Sequence, residues 1–95
     1  MERVERIAAA RAAALDALTS AASGDSLCTL ARERLPAAKY HEGAVAALSD
    51  ALRASRSAGP LPDSDSWGSQ WGRLIEQDPS WRAYVLGGRD ALTRV

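Results

Sequence analysis

The sequence holds little of what a disulfide-stapled or metal-bound protein needs. Cys28 is the only cysteine in 95 residues, so no disulfide can form within the chain. Cys28 and His41 are the only soft metal ligands, whereas a structural zinc site usually takes four ligands. A lone thiol in a helical stretch usually behaves as a small buried apolar side chain. We therefore expect no metal and no disulfide within the chain, although a lone cysteine could pair two chains.

Long apolar runs and an excess of either charge are also missing. A membrane-spanning helix needs about 20 apolar residues in succession, and Met1 to Arg6 carry acids instead of the apolar stretch of a secretory signal. Lysine plus arginine and aspartate plus glutamate both total 12. This balance permits self-association and disfavours, without excluding, nucleic acid as a partner. We expect a cytoplasmic protein without membrane contact, and the bias toward alanine and arginine is typical of a GC-rich bacterial genome.

What the chain does contain is apolar residues at helical spacing. A first helix is predicted from Glu2 to Ala22. Its inner face would consist of Val4, Ile7, Ala8, Leu15, Leu18 and Ala22. Gly24 suits the left-handed residue that closes a helix, and Asp25 or Ser26 then caps a second helix that ends at Leu35. No strand pattern and no internal repeat are apparent.

A third helix is predicted from Pro36 to Ser57, because proline is tolerated at the first helical position. Its inner face would consist of Tyr40, Ala44, Ala47, Leu48, Ala51 and Leu52. Gly43 weakens this helix by about 1 kcal/mol relative to alanine, unless it permits a close helix crossing. Small residues on the inner faces of the first and third helices predict close packing that buries little apolar area per residue.

The last third of the chain is organised by capping and helix-breaking residues. Residues 58–65 are rich in proline, glycine, serine and aspartate and predict a linker, in which Asp63 is one of several possible caps for a fourth helix. Asp78–Pro79 predicts the start of a fifth helix. Gly87–Gly88 is expected to kink or end that helix early, leaving residues 89–95 as a short tail helix. The predicted inner positions are Trp67, Trp71, Leu74 and Ile75 in the fourth helix and Trp81, Tyr84, Val85, Gly88, Leu92 and Val95 in the fifth.

These elements predict an all-α fold, a small bundle of four to five helices. Residues 1–95 would form one domain, because a chain this short has room for one core. Within it, residues 1–57 would be a three-helix N-terminal unit, 58–65 the linker, and 66–95 a tryptophan-rich helical part. A core at this length is marginal, so the chain must pack efficiently or share its apolar surface with a partner.

The three tryptophans are the most unusual feature. Trp67 and Trp71 lie four residues apart on one helical face, and Trp81 follows the Asp78–Pro79 turn. One interpretation is that all three fill the core and compensate for the alanine-lined helices. The other is that at least one stays exposed as a binding anchor, since tryptophan is enriched among binding hot spots. Trp67, which is nearest the linker, is the one expected at the surface.

The function that this pattern favours is a non-catalytic protein–protein interaction or assembly module. The predicted contact residues are Trp67, Trp71, Trp81 and Tyr84, with Arg73 and Arg82 as a polar rim. The partner would be another protein or a second copy of the chain in a homodimer. The mechanism would be burial of an apolar helical face that the domain cannot cover alone.

Two other functions remain open. A small DNA-binding regulator would use the helix after Pro36 and present Lys39, Tyr40 and His41 to DNA. A small-molecule site between the tryptophans would suit an apolar or aromatic ligand. Catalysis is not expected, because one histidine without a recognisable nucleophile is weak evidence for an active site. No glycine-rich phosphate loop is present, so no cofactor is expected.

Overall fold

The computed structural model describes residues 3–22, 35–57, 59–79 and 81–95. Within these ranges every regular element is an α-helix. The helices are α1 (Arg3–Ala22), α2 (Leu35–Arg56), α3 (Ser64–Gln77) and α4 (Trp81–Arg94). The predicted all-α bundle is confirmed. Gly24, Cys28 and all of the predicted second helix except Leu35 lie in residues 23–34, outside the described residues. Leu35 is the first residue of α2.

α1 and α2 form an antiparallel pair. Nε of Arg11, in the first half of α1, donates a hydrogen bond of 2.7 Å to Oγ of Ser49, in the second half of α2. Ile7 is 1% exposed and packs in a cluster that includes Leu48 and Ala51. The start of α1 therefore lies against the end of α2.

The inner face of α1 differs from the predicted one at Leu15. Ile7, Ala10 and Ala14 pack in or against the core cluster, while Leu15 is 42% exposed. Successive residues of an α-helix are rotated by about 100°, so Leu15 points well away from the line through Ile7 and Ala14. The prediction that Leu15 is an inner residue is wrong. The face of α1 that packs on α2 is lined largely by smaller alanines, so the size of a side chain does not identify that face.

The inner face of α2 was predicted correctly. Ala44, Ala47, Leu48 and Ala51 are buried, and Tyr40 and Leu52 are partly buried. The buried positions follow the spacing of three and four residues that one helical face requires. Most of these side chains are alanines, which lets another helix approach closely.

α2 and α4 cross at a reciprocal pair of glycines. A Cβ atom on Gly43 would overlap the backbone carbonyl of Tyr84, and one on Gly87 would overlap the backbone carbonyl of Tyr40. Each helix thus places a tyrosine carbonyl against the glycine of the other. Gly43 therefore permits a close helix crossing. The packing at this crossing offsets the lower helix propensity of glycine.

α4 runs without interruption from Trp81 to Arg94, so the predicted early end at Gly87–Gly88 and the separate tail helix are wrong. Gly87 lies against the Tyr40 carbonyl, and Gly88 lies against the indole of Trp67. Both glycines are buried inside a helix that its neighbours hold in place. Packing against these neighbours outweighs the weak intrinsic helix propensity of glycine.

The crossing also reveals an internal repeat that sequence inspection missed. Tyr40–Ser49 reads YHEGAVAALS and Tyr84–Thr93 reads YVLGGRDALT. The two segments share tyrosine, glycine, alanine and leucine at matching places, and glycine replaces alanine and threonine replaces serine at two others. Because the matched tyrosines and glycines make reciprocal contacts, α2 and α4 are equivalent partners at the crossing. We call these two segments the Tyr-x-x-Gly repeat.

α3 begins at a recognisable cap. The backbone N–H of Ser66 donates to Oδ1 of Asp63 at 2.7 Å, which identifies Asp63 as the cap of α3. The same bond is the main reason that the pKa of Asp63 lies below its usual value. After α3, the N–H of Trp81 donates to the carbonyl of Asp78 at 3.1 Å, and the described helix α4 begins at Trp81.

Candidate functional site

The four aromatic residues predicted as contacts form one cluster between α3 and α4. The ring centroids of Trp67 and Trp71 are 5.5 Å apart, and those of Trp81 and Tyr84 are 5.0 Å apart. Trp71 and Tyr84 join these pairs with a centroid distance of 5.5 Å. Such tilted and edge-on arrangements are favourable for aromatic rings. The structure therefore brings these predicted residues together, although it does not place all of them at the surface.

Trp67 is the innermost member of the cluster, and the prediction that it is the exposed tryptophan is wrong. Its side chain is 1% exposed, and its Nε1–H donates a hydrogen bond of 3.0 Å to the carbonyl of Val85. The indole fits against Gly88, where a Cβ atom would overlap it. Its position near the linker did not expose it, because a glycine on α4 leaves room for the ring. Tyr84 is also buried, at 7% exposure.

Trp71 and Trp81 form the outer layer of the cluster. Both are partly buried, and their rings are nearly parallel, with centroids 6.3 Å apart and an interplanar angle of 8°. Nζ of Lys39 lies 4.9 Å from the centroid of Trp81, a cation–π distance. Nε1 of Trp71 is buried and has no hydrogen-bond partner among the described residues, which costs about 1–3 kcal/mol.

The two arginines predicted as a rim do not flank the same surface. Arg73 and Arg82 are both exposed. Arg73 lies two residues after Trp71 on α3, which rotates it by about 200° to the opposite side of that helix. Arg82 lies on a groove beside α4 that the sequence did not suggest. Only Arg82 therefore accompanies a concave surface.

We call this surface the α4 groove. It has a volume of about 630 Å³ and is lined by Leu35, Pro36, Asp78, Pro79, Arg82, Ala83 and Leu86. Leu86 is 48% exposed, the most exposed large apolar side chain among the described residues. The sequence did contain a signal for this surface, because Leu86 falls outside the predicted inner face of the helix. A large apolar residue on the outer side of an amphipathic helix is the pattern that would have identified it.

No family model, curated protein or solved structure matches this chain. The function must therefore be argued from the geometry of the described residues. None of α1 to α4 combines the length and the apolar character that crossing a membrane requires. In the part of the chain that the structure describes, no three or more histidine, cysteine, aspartate or glutamate residues are grouped so that they could hold a metal ion.

The three residues of the DNA-binding alternative make contacts within the protein. Nζ of Lys39 lies 3.4 Å from Oε1 of Glu42 as well as over Trp81. The hydroxyl of Tyr40 donates to Oδ2 of Asp90 at 2.6 Å. His41 packs edge-on against Tyr40, with a ring-centroid distance of 5.4 Å. DNA binding stays a prediction, and none of these contacts favours it.

The Tyr40–Asp90 hydrogen bond predicts a pH dependence of stability. This bond, together with burial, raises the pKa of Tyr40 above its usual value of 10.0. The fold therefore favours the neutral phenol, so the stabilisation is fully present below about pH 10 and is lost as pH rises through the raised pKa. We expect Tyr40→Phe to lower the free energy of unfolding by about 1 kcal/mol at neutral pH. That difference should shrink at alkaline pH.

Urea unfolding at a series of pH values, followed by circular dichroism, measures this difference. Burial also raises the pKa of Tyr84, but Tyr84 is present in both proteins and its effect cancels in the comparison. A difference that stays constant through the alkaline range would contradict the proposed role of the bond.

Proposed function

We propose that this chain is a non-catalytic protein–protein interaction module that binds an amphipathic helix of a partner protein in the α4 groove. The partner helix would contribute apolar side chains to the groove and an acidic residue to Arg82. This proposal keeps the class of function that the sequence favoured. It moves the contact surface from the tryptophan cluster to the neighbouring side of α4.

The observation that carries the proposal is the position of Leu86. The other large apolar residues of α4 turn inward, whereas Leu86 is 48% exposed on the wall of a groove. Full burial of a leucine side chain contributes about 1.5–3 kcal/mol. Leu35, Pro36, Pro79 and Ala83 extend this apolar surface around it. A partner that covers them gains stabilisation the isolated domain does not obtain.

Charge indicates the chemistry of the partner. Arg82 is exposed on the groove and has no ion-pair partner among the described residues. A carboxylate on the bound helix would supply one and would fix its orientation. Recognition of a helix through spaced apolar anchors in a groove is a recurring mode of peptide binding. Because Asp78 also lines the groove, these features favour an amphipathic helix that places an acidic residue at Arg82 and none at Asp78.

The outer aromatic layer supports this function without carrying it. Trp71 and Trp81 are partly buried, and Lys39 covers one face of Trp81. Trp67 and Tyr84 stabilise the fold from within and cannot be contact residues while the helices stay packed. Homodimer formation and a cytoplasmic location stay predictions from the sequence.

Selection from a displayed library of amphipathic helical peptides tests the proposal with the full chain as bait. We expect enriched peptides with regularly spaced apolar residues and at least one acidic residue. Leu86→Glu should weaken their binding at least about tenfold, since loss of a buried apolar anchor costs more than 1.4 kcal/mol. Arg82→Glu should shift the preference of the selection toward basic peptides.

Leu15→Glu is the matched control, because Leu15 is the other large exposed apolar residue described and lies on α1. It should leave peptide binding unchanged. The proposal is wrong if Leu15→Glu weakens binding as much as Leu86→Glu, or if Arg82→Glu leaves the charge preference unchanged. Sedimentation that shows a dimer dissociated by Leu86→Glu would also overturn it, because the groove would then hold a second copy.

A further inference from the structure

A second concave feature lies on the other side of the α2–α4 crossing. A cavity of about 270 Å³ separates α1 from α2 and α4. Its walls include Tyr40, His41 and Ala44 from α2 and Ala91 and Arg94 from α4. The wall that α1 contributes consists of alanines, namely Ala10, Ala13, Ala14 and Ala17. Because alanines contribute only methyl groups, α1 crosses this region without filling it.

The Tyr-x-x-Gly repeat shows what occupies the matching space on the opposite side. In the repeat, Tyr40 matches Tyr84, His41 matches Val85, Ala44 matches Gly88 and Ala47 matches Ala91. The equivalents of the cavity walls are therefore Tyr84, Val85, Gly88 and Ala47. These four residues surround the indole of Trp67. The cavity is the counterpart of the space that an aromatic ring fills in the other half of the protein.

Ile7 and Trp67 are the two largest fully buried side chains among the described residues. Ile7 packs in a cluster with Ala44 and Ala91, and Trp67 packs against Gly88 and in a cluster with Ala47. Ile7, however, is not among the residues that line the cavity. The part of α1 that lines the cavity consists of alanines, so no described side chain of α1 takes the place that the Trp67 ring has on the other side.

We propose that this cavity binds a planar aromatic molecule of about the size of indole. Its ring N–H would donate to the carbonyl of His41, as Nε1 of Trp67 donates to the matching carbonyl of Val85. The space is partly open to solvent, and its volume of about 270 Å³ is larger than the roughly 150 Å³ of an enclosed apolar cavity that binds benzene in another protein. The stacking partner would be Tyr40, the equivalent of Tyr84, which stacks on Trp67 at a centroid distance of 5.6 Å.

Titration of the full chain with indole tests this site. By nuclear magnetic resonance we expect the amide signals of Ala14, His41 and Ala44 to shift on addition of indole, and the melting temperature should rise with its concentration. Benzothiophene has nearly the same shape but no N–H, and it should bind about fivefold more weakly for the loss of one hydrogen bond.

Two variants fill the cavity from α1. Ala10→Leu and Ala14→Leu each extend a larger side chain from the α1 wall of the cavity. Both should abolish binding of added indole, and the second keeps the test decisive if the first does not fold. Ala12→Leu is the matched control, because Ala12 is exposed on the same helix and is not among the residues lining the cavity. It should bind indole like the wild type.

The proposal is overturned if the wild type does not bind indole, or if a folded cavity-filling variant binds it with unchanged affinity. Shifts confined to Trp71, Trp81 or the α4 groove would place the ligand elsewhere and would also overturn it. Equal binding of benzothiophene and indole would exclude the hydrogen bond to His41.

Discussion

Replacing Gly87 with alanine is expected to lower the free energy of unfolding by about 3 kcal/mol, at the upper end of the range for overpacking a tight contact. A Cβ atom at this position would overlap the backbone carbonyl of Tyr40. A backbone group cannot rotate away as a flexible side chain can, so α2 and α4 would have to separate. Domains of this size have only about 5–15 kcal/mol of stability in total. The loss would therefore be a large fraction of it.

The reciprocal contact predicts the same result for Gly43→Ala, whose Cβ atom would overlap the carbonyl of Tyr84. Gly72 provides the matched control within α3. No heavy atom lies within 4 Å of a Cβ atom built there, so Gly72→Ala should stabilise the protein by up to about 1 kcal/mol through helix propensity. Replacing glycine with alanine should thus destabilise the protein at Gly43 and Gly87 and stabilise it at Gly72.

Urea unfolding followed by circular dichroism measures all three variants. Equal stability of Gly87→Ala and Gly72→Ala would show that α2 and α4 do not cross through these glycines. That result would also remove the reason for matching the cavity to the space around Trp67, since this match depends on the reciprocal contacts of the Tyr-x-x-Gly repeat at the crossing. The α4 groove depends on the same helix pair, because Leu35 and Pro36 of α2 face Ala83 and Leu86 of α4 across it.

Replacing Trp67 with alanine is expected to cost about 3–5 kcal/mol, the usual range for removing a buried aromatic side chain. The side chain is 1% exposed and connects α3 to both Ala47 of α2 and Val85 of α4. Its loss would create a cavity and leave α3 with a weaker hold on the bundle. Trp67→Phe should lose less, since a ring remains while the hydrogen bond to Val85 is removed.

Trp81→Ala is the matched comparison for Trp67→Ala. Trp81 belongs to the same cluster but is only partly buried, so the same truncation should cost clearly less. Denaturant unfolding of both variants gives the two free energies directly. Equal losses would contradict the assignment of Trp67 to the interior and Trp81 to the outer layer.

The sequence predicted a large part of the fold because much of the evidence for helices is local. The Asp63 cap acts on an N–H three residues away, and the inner face of α2 follows from spacing within one helix. The sequence also selected the four aromatic residues that form a cluster. These predictions needed no knowledge of which helix lies beside which.

The remaining features depended on contacts between helices. Leu15 is exposed, Trp67 is buried, and α4 continues through Gly87–Gly88, although each local pattern indicated otherwise. A glycine pair weakens an isolated helix. Here, however, Gly87 contacts the carbonyl of Tyr40 and Gly88 contacts the indole of Trp67, and a side chain at either position would prevent that contact. Spacing shows that a face exists but not which neighbour covers it. Only the packing of the helices against one another therefore determined which apolar side chains are buried, and it left Leu86 exposed on a groove.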